Sequence, residues 1–507
     1  MEDHKHSVDS IAFQVREFYQ TKTPFRIYHG STNSTRNSQF KPGAIIDTSL
    51  LSKVLKVDVE TKTALVEPNV PMDDLVESTL EFGLIPPVVM EFPGITAGGG
   101  FSGTSAESSS FRYGFFENTV KSVELILGNG DVVEASDSLN SDLFYGAASS
   151  CGTLGVVTLL ELALIDAKPF VELTYQPVSS ISEAVQLIET SALKPHIDYI
   201  DGIFFAKDRG VLCIGHATNT ASQGSKYQQF TRPHDPWFYR HVEKLLHKGK
   251  VPLTETVPLV DYLFRYDRGA FWTGRYAFKY FLTPFNRVTR WALDWFMHTR
   301  VMYHALHKSG HGDRYIVQDV AVPYSTATEF MNYIDDLFGI YPIWLCPLRV
   351  RHGSRMSSVP AGNFGAINSD MLLNFGIWGP GPSRLDRFVD MNRKLEDKVQ
   401  HLKGRKFLYA HAYYTEEEFW EIYNRAMYDA LRSKYHADYL PTMYDKVKVD
   451  VEAKKKARSA SWITWILALF WSIWPLSGVY GVLQAMFGGD YLLPSSQQKS
   501  KSKQKIT

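Results

Sequence analysis

Two glycine-rich stretches constrain this chain more than any other feature: Glu91-Phe-Pro-Gly-Ile-Thr-Ala-Gly-Gly-Gly100 and, further along, Ser150-Cys-Gly-Thr-Leu-Gly155. Glycine is a poor builder of ordinary helix or strand, but it lets backbone N–H groups approach a phosphate or a ring edge without an intervening side chain. Two such elements in one region predict a single extended ligand held by main chain. Gly98, Gly100 and Gly103 match the spacing G-x-G-x-x-G, which in a dinucleotide fold must follow a strand and open an apolar helix. Here Phe92-Pro93-Gly94 precedes it and the small polar run Ser102 to Ser110 follows, so a doubly wound dinucleotide fold is excluded. What remains is a wall of small residues with Glu107 as its only charge, placed to bond a ligand or to cap a helix. A third element, His29-Gly-Ser-Thr-Asn-Ser-Thr35, follows a short apolar strand and has the composition of a backbone nest for an anion. Alone it would be an ordinary polar turn.

The chain has 507 residues, enough for two or three domains, with 54 Lys+Arg balancing 54 Asp+Glu. Neutrality of this kind excludes a general nucleic-acid footprint, which needs a basic excess on some face. Cys151, Cys213 and Cys346 are too few and too scattered for a disulfide framework or a CxxC metal site, and they read as reduced thiols in a cytosol-facing protein. The first twenty residues contain no apolar stretch long enough for a secretory signal. Between Arg458 and Asp490, by contrast, no charged residue occurs, and lysines flank the span on both sides. Its length suffices for a bilayer, as a single span or as a hairpin bent at Pro475 and Gly478, with Trp462, Trp465, Trp471 and Trp474 suited to the headgroup layer. A buried pair of core helices is the competing reading.

Periodicity divides the chain at Pro169. Before it, the pattern predicts a helix over 8–19, short strands over 25–28, 44–47, 57–59 and 63–67, a helix over 72–82, a hairpin about Gly128-Asn-Gly130, and a buried strand from Val156 to Ile165. After it, longer amphipathic runs predict helices over 181–191, 326–338, 384–401 and 416–435. The expected organisation is a two-part first domain over 1–168, a second α+β domain over 169–445, a basic linker over 446–458, a membrane segment over 459–489 and a polar tail over 490–507.

The order PG-T-GGG-S-G, then a glycine hairpin, then Asn140-Ser-Asp-Leu-Phe-Tyr145 and Ser150-Cys-Gly-Thr-Leu-Gly155, resembles the flavin domain of the vanillyl-alcohol-oxidase/PCMH superfamily. Within it, the chain is most similar to the Δ24-sterol reductase (diminuto/seladin) family. That likeness runs through Glu107-Ser-Ser-Ser110, Tyr113-Gly114, Pro236-Trp-Phe238, Val317-Gln-Asp319, Tyr341 to Pro347, Glu417 to Glu421 and Tyr444-Asp-Lys446. The resemblance implies an α+β protein with a PCMH-type two-subdomain FAD-binding domain, a substrate domain and a membrane tether. It implies FAD with its diphosphate on His29, Gly30, Ser31, Thr32, Asn33 and Ser34 and on the wall Pro93, Gly94, Ile95, Thr96, Gly98, Gly99, Gly100, Gly103 and Thr104. Glu107 and Ser108 continue that wall, and Ser150, Gly152, Thr153, Gly155, Val156 and Val157 would lie against adenosine and flavin.

His29 precedes the single Gly30, and no other His or Cys occupies that loop, so the expected FAD is non-covalent. The implied reaction is reduction of the side-chain Δ24 double bond of a sterol, with NADPH as electron donor, at an endoplasmic reticulum membrane with the catalytic domains facing the cytosol. Oxidation of an alcohol or lactone by a superfamily relative is the alternative. The chain departs from the family at Phe92-Pro93-Gly94 and in carrying its apolar segment near the C-terminus. Oligomeric state stays open.

An unactivated alkene is a poor hydride acceptor, so an acid on the substrate side is required. In Leu408-Tyr-Ala-His-Ala-Tyr-Tyr414, Tyr409 and His411 would share a side if the run is a strand, and they are the candidate catalytic residues. His298, His304, His307 and His311 do not form a metal site on this pattern: Ser309-Gly310 ends the helix before His311, and no Cys or carboxylate completes a ligand set. The aromatic and basic run Phe271 to Arg300 fits a membrane surface near a substrate entrance or a core helix with a solvated face.

Overall fold

The run of short β-branched segments before Pro169 folds into a fully antiparallel five-stranded sheet. Its order is Val54–Asp58, Thr63–Val66, Val156–Ala163, Val120–Ile126, Val132–Ser136. The glycine hairpin joins the last two with Ile126 opposite Val132, and Gly130 supplies the positive φ of +86° that its turn requires. In the computed structural model, residues 1–30, 34, 40–222, 224–350, 370–452 and 473–488 are described. The first helix, Glu2–Gln20, is longer than its apolar stripe alone predicts. Val8, Ile11, Ala12 and Val15 pack on Ile46, Leu51, Ile126 and Val156, and His4 ties the extra turn down through Glu67 at 2.8 Å and Glu124 at 3.3 Å. Beside it, Arg26–Tyr28 and Ile45–Asp47 form a parallel pair that carries the His29 loop.

A second sheet of nine strands begins at Phe170. Its order is Lys226–Tyr227, Leu253–Pro258, Phe170–Val178, Arg209–Thr218, Tyr199–Ala206, Ile343–Arg349, Met371–Pro380, Tyr315–Pro323, Arg405–Lys406. Helices Ile181–Ala192, Ala327–Phe338 and Leu385–His401 cover one face, over a core that includes Ile316, Val320, Val322, Phe375 and Ile377. Because side chains alternate along a strand, Tyr315, Val317 and Asp319 are left to face the first domain. The mixed α/β content matches the expected class.

Two local expectations are corrected. The run expected as one helix over 416–435 is two, Glu416–Ile422 and Arg425–Lys434, because Asn424 between them is extended and caps the second through Met427 N at 3.1 Å. Residues 408–414 do not form a strand. Only Arg405–Lys406 pairs with the sheet, after which the buried Lys406 ammonium bonds Glu396 and the His411 carbonyl, both at 2.5 Å, and draws the chain inward.

Helix Arg425–Lys434 and the following turn return to the first domain. The Tyr428 hydroxyl donates to Thr153 Oγ1 at 2.8 Å, and the Lys446 ammonium donates to the Cys151 carbonyl at 2.7 Å.

Of the expected membrane segment, residues 459–472 and 489 lie outside the described residues, as do 453–458 of the linker and the tail 490–507. The remainder contains a 12-residue helix, Leu476–Phe487, packed on helix Thr299–Ser309. Among the described residues no helix is long and apolar enough to cross a membrane. The aromatic run Phe271 to Arg300 is not one core helix but short helices that include Gly274–Tyr280 and Arg287–Ala292; Phe271, Trp272 and Phe278 are buried, whereas Leu282, Val288, Trp291 and Trp295 are exposed.

Candidate functional site

Thr96 opens the glycine wall as an N-cap, its hydroxyl accepting from Gly99 N at 3.1 Å, and Ala97–Gly103 coils into a seven-residue helix. The glycines divide by what they face. A Cβ on Gly98 would lie 2.6 Å from Pro68 Cβ, and one on Gly100 would lie 2.7 Å from Met90 Cε and 2.8 Å from the Phe116 ring. These two let the wall press against its own domain. Gly103 meets nothing within 4 Å and borders open space. In the second element Gly152 has φ +67° and Gly155 φ +156°, and a Cβ on Gly155 would lie 2.6 Å from the Ile126 carbonyl, so both are needed for the turn itself.

The open space is one cavity of about 840 Å³ running from this wall into the second domain. Of the residues expected around a cofactor, His29, Ser34, Gly94, Ile95, Thr96, Gly98, Gly99, Gly103, Thr104, Gly152, Gly155 and Val157 line it. Gly30, Pro93, Gly100, Ser150, Thr153 and Val156 do not line it: Val156 packs against the first helix, and Thr153 accepts from the Tyr428 hydroxyl. Ser31, Thr32 and Asn33 lie outside the described residues.

Glu107 and Ser108 are also off the cavity, and their role is different from the one expected. Glu107 Oε1 accepts from Arg265 Nη2 at 3.3 Å, Ser108 Oγ accepts from the Tyr262 hydroxyl at 3.0 Å, and Arg265 also bonds Asp201 at 3.0 Å. All are buried, so this charged cluster joins the two domains.

At the first-domain end, Arg26 and Lys446 border the cavity beside His29. Burial, and then the Lys446 charge, push the His29 pKa down to about 4, so the imidazole is neutral; its Nδ1 is buried and has no hydrogen-bond partner among the described residues. Two cations, a strip of small-residue backbone and an unsatisfied ring nitrogen fit a bound anionic nucleotide.

The second domain contributes a sheet floor in which alternate residues of three strands face the cavity: Tyr315, Val317 and Asp319; Asn374 and Trp378; Trp344, Cys346 and Leu348. The Tyr409 hydroxyl donates to Asp319 Oδ2 at 2.5 Å, and Asn374 Nδ2 donates to Oδ1 at 2.7 Å. Burial raises the Asp319 pKa to about 6 against the pull of those bonds. Burial and then the Asp319 charge hold the Tyr409 phenol well above its usual range. Glu91, at the head of the glycine wall, also lines the cavity; burial and the Glu107 charge raise its pKa far above the usual carboxylate value. His411 is not among the cavity residues: its backbone carbonyl accepts from Gln318 and Lys406, and the irregular path of 408–414 separates it from Tyr409.

Tyr409 was legible in the sequence as a candidate, and its partners were not. Asp319 and Lys446 stood inside motifs carrying the family likeness and received no role, and only the alternation within strand Tyr315–Pro323 could have aimed Asp319 at the site.

A family profile described as FAD binding domain matches residues 5–136. The chain is 29% identical over 459 residues to the Delta(24)-sterol reductase of Homo sapiens, covering 88% of this chain and 86% of that one. The enzyme of the same name from Arabidopsis thaliana is 28% identical over 449 residues, 82% of this chain and 78% of that one. Cytokinin dehydrogenase 7 of Oryza sativa subsp. japonica is similar over a shorter stretch, 29% over 205 residues and 38% of each chain. The fold, the cradle and these likenesses define an FAD-dependent oxidoreductase. Within that class the chain is similar to the Delta(24)-sterol reductases, the family its motifs resemble.

Proposed function

We propose that this protein reduces the side-chain Δ24 double bond of a sterol, with FAD bound non-covalently and NADPH as electron donor. The carrying observation is that one cavity joins the glycine-walled cradle to an apolar chamber, with the Tyr409–Asp319 pair facing it.

Arg26, Lys446 and the backbone of 94–104 would hold the FAD, which supplies the hydride when bound and reduced. Val317, Trp344, Trp378 and Leu348 would exclude water and position the alkene. Tyr409 is the proton donor. Loss of its proton beside a charged Asp319 would place two anions 2.5 Å apart, so the competent form has Asp319 protonated and ready to hand its proton to Tyr409 Oη. Asn374 holds the Asp319 carboxyl in register for that transfer.

Exposed Leu282, Val288, Trp291 and Trp295, together with the apolar composition of 459–489, support residence at a membrane, proposed as that of the endoplasmic reticulum with the catalytic domains on the cytosolic side. The test is turnover of a Δ24-sterol in deuterated water. One solvent deuterium should appear at the carbon protonated by the protein, and Tyr409→Phe should slow its incorporation. Absence of a saturated product, or incorporation unchanged in Tyr409→Phe, contradicts the proposal.

A further inference from the structure

Helix Leu476–Phe487 closes the end of the cavity remote from Asp319. It is seated without spare room: a Cβ on Gly478 would lie 2.3 Å from the Tyr280 ring, and one on Gly481 2.6 Å from the Ala305 carbonyl. Trp474 Nε1 donates to the Tyr280 carbonyl at 2.6 Å. From this helix Gly478, Val479, Val482 and Leu483 line the cavity.

The wall there mixes apolar side chains with a few polar ones, among them Ser309 and Tyr280. His311 lines the cavity, its Nε2 lies 2.9 Å from Ser477 Oγ on the helix, and its ring centroid is 5.0 Å from that of Tyr280. Tyr315, which also faces the cavity, sits near Tyr276. Tyr315 and Asp319 are four positions apart on one strand, so the two ends of the floor are roughly 13 Å apart at about 3.3 Å per residue.

This geometry suits a long, rigid, apolar molecule that reacts at one tip and carries a hydrogen-bonding group at the other. With the alkene beside Tyr409, the hydroxyl on the ring system of a sterol points to His311. In either tautomer, the bond to Ser477 leaves Nδ1 as donor or acceptor for a further partner.

We propose that His311 binds the ring hydroxyl of the substrate and that Ser477 positions its imidazole, so the C-terminal helix completes the specificity site. The inference rests on the sterol reading of the ligand. It is tested with the full-length flavoprotein in detergent, by titrating tryptophan emission with a Δ24-sterol and with its 3-deoxy counterpart. The native protein should bind the hydroxyl form about tenfold more tightly, the range of one hydrogen bond. In His311→Phe the two affinities should converge with the flavin spectrum unchanged, Ser477→Ala should move the same way by less, and His311→Gln, which keeps a donor and an acceptor, should restore part of the preference. Equal affinities in the native protein, or a preference that survives His311→Phe, overturns the proposal. Binding with the expected preference but without reduction of the alkene would defeat the reductase reading alone; binding of neither sterol would defeat this inference.

Discussion

At the scale of single residues, the site depends on which atoms share protons and which glycines face empty space. Because the protonated form of Asp319 is the competent one, kcat should fall as pH rises above about 6, the value to which burial lifts its pKa. Asp319→Asn cannot pass a proton to Tyr409 and should abolish that descending limb while lowering the rate; a limb that survives in this variant would remove Asp319 from the relay. Tyr409→Phe should reduce kcat on the order of a hundredfold, within the range of general acid catalysis, with flavin content retained. The glycines give a second pair of expectations. Gly98→Ala places a methyl 2.6 Å from Pro68 and should cost about 1–3 kcal/mol in urea unfolding, the usual range for overpacking. Gly103→Ala meets no protein atom within 4 Å and should leave the apo-protein stability unchanged while reducing the FAD retained on purification. The wall was legible in the sequence as a motif, but this division was not: what each glycine touches is set by Pro68, Met90 and Phe116, which no spacing rule connects to it.

At the scale of elements, helix Thr299–Ser309 is the seat on which the C-terminal helix rests, and its start is fixed by charge. The Asp267 carboxylate accepts from Thr299 N at 3.0 Å and from His298 Nδ1 at 2.5 Å, while Asp294 lies 3.3 Å from Nε2. Burial opposes the imidazolium, yet these hydrogen bonds outweigh it and raise the His298 pKa from 6.5 to about 9. A pKa raised in the fold stabilises when the group is charged, so this contribution is complete below pH 6.5 and is lost as pH rises through about 9. The melting temperature should decline across that window, and His298→Gln should flatten the decline; an equal decline in the variant would assign it to other groups. Elements with strong periodicity, such as 181–192 and 385–401, were readable within a residue or so. The segments 408–414 and 416–435 were not, because a buried Lys406–Glu396 pair and the Asn424 cap override an apolar pattern that allowed a strand and one long helix.

At the scale of the whole molecule, the two domains are joined through buried charge. Arg265→Leu would strand Glu107 and Asp201 and should destabilise the protein by about 3–5 kcal/mol in equilibrium unfolding. A loss well under that range would show that the cluster does not hold the domains together. The sequence carried no signal for this joint, since Glu107, Asp201 and Arg265 are far apart in the chain and meet only once both sheets have formed. The cavity follows from that docking, with the cradle from one domain and the acid and apolar floor from the other. Sterol reduction by the bound flavin is tested directly by reducing the purified protein anaerobically with NADPH, adding a Δ24-sterol and recording the flavin absorbance. The yellow absorbance should return with one equivalent of saturated sterol formed per flavin. A protein that carries no FAD, or whose flavin is bleached by an alcohol and stays indifferent to the sterol once reduced, would contradict it.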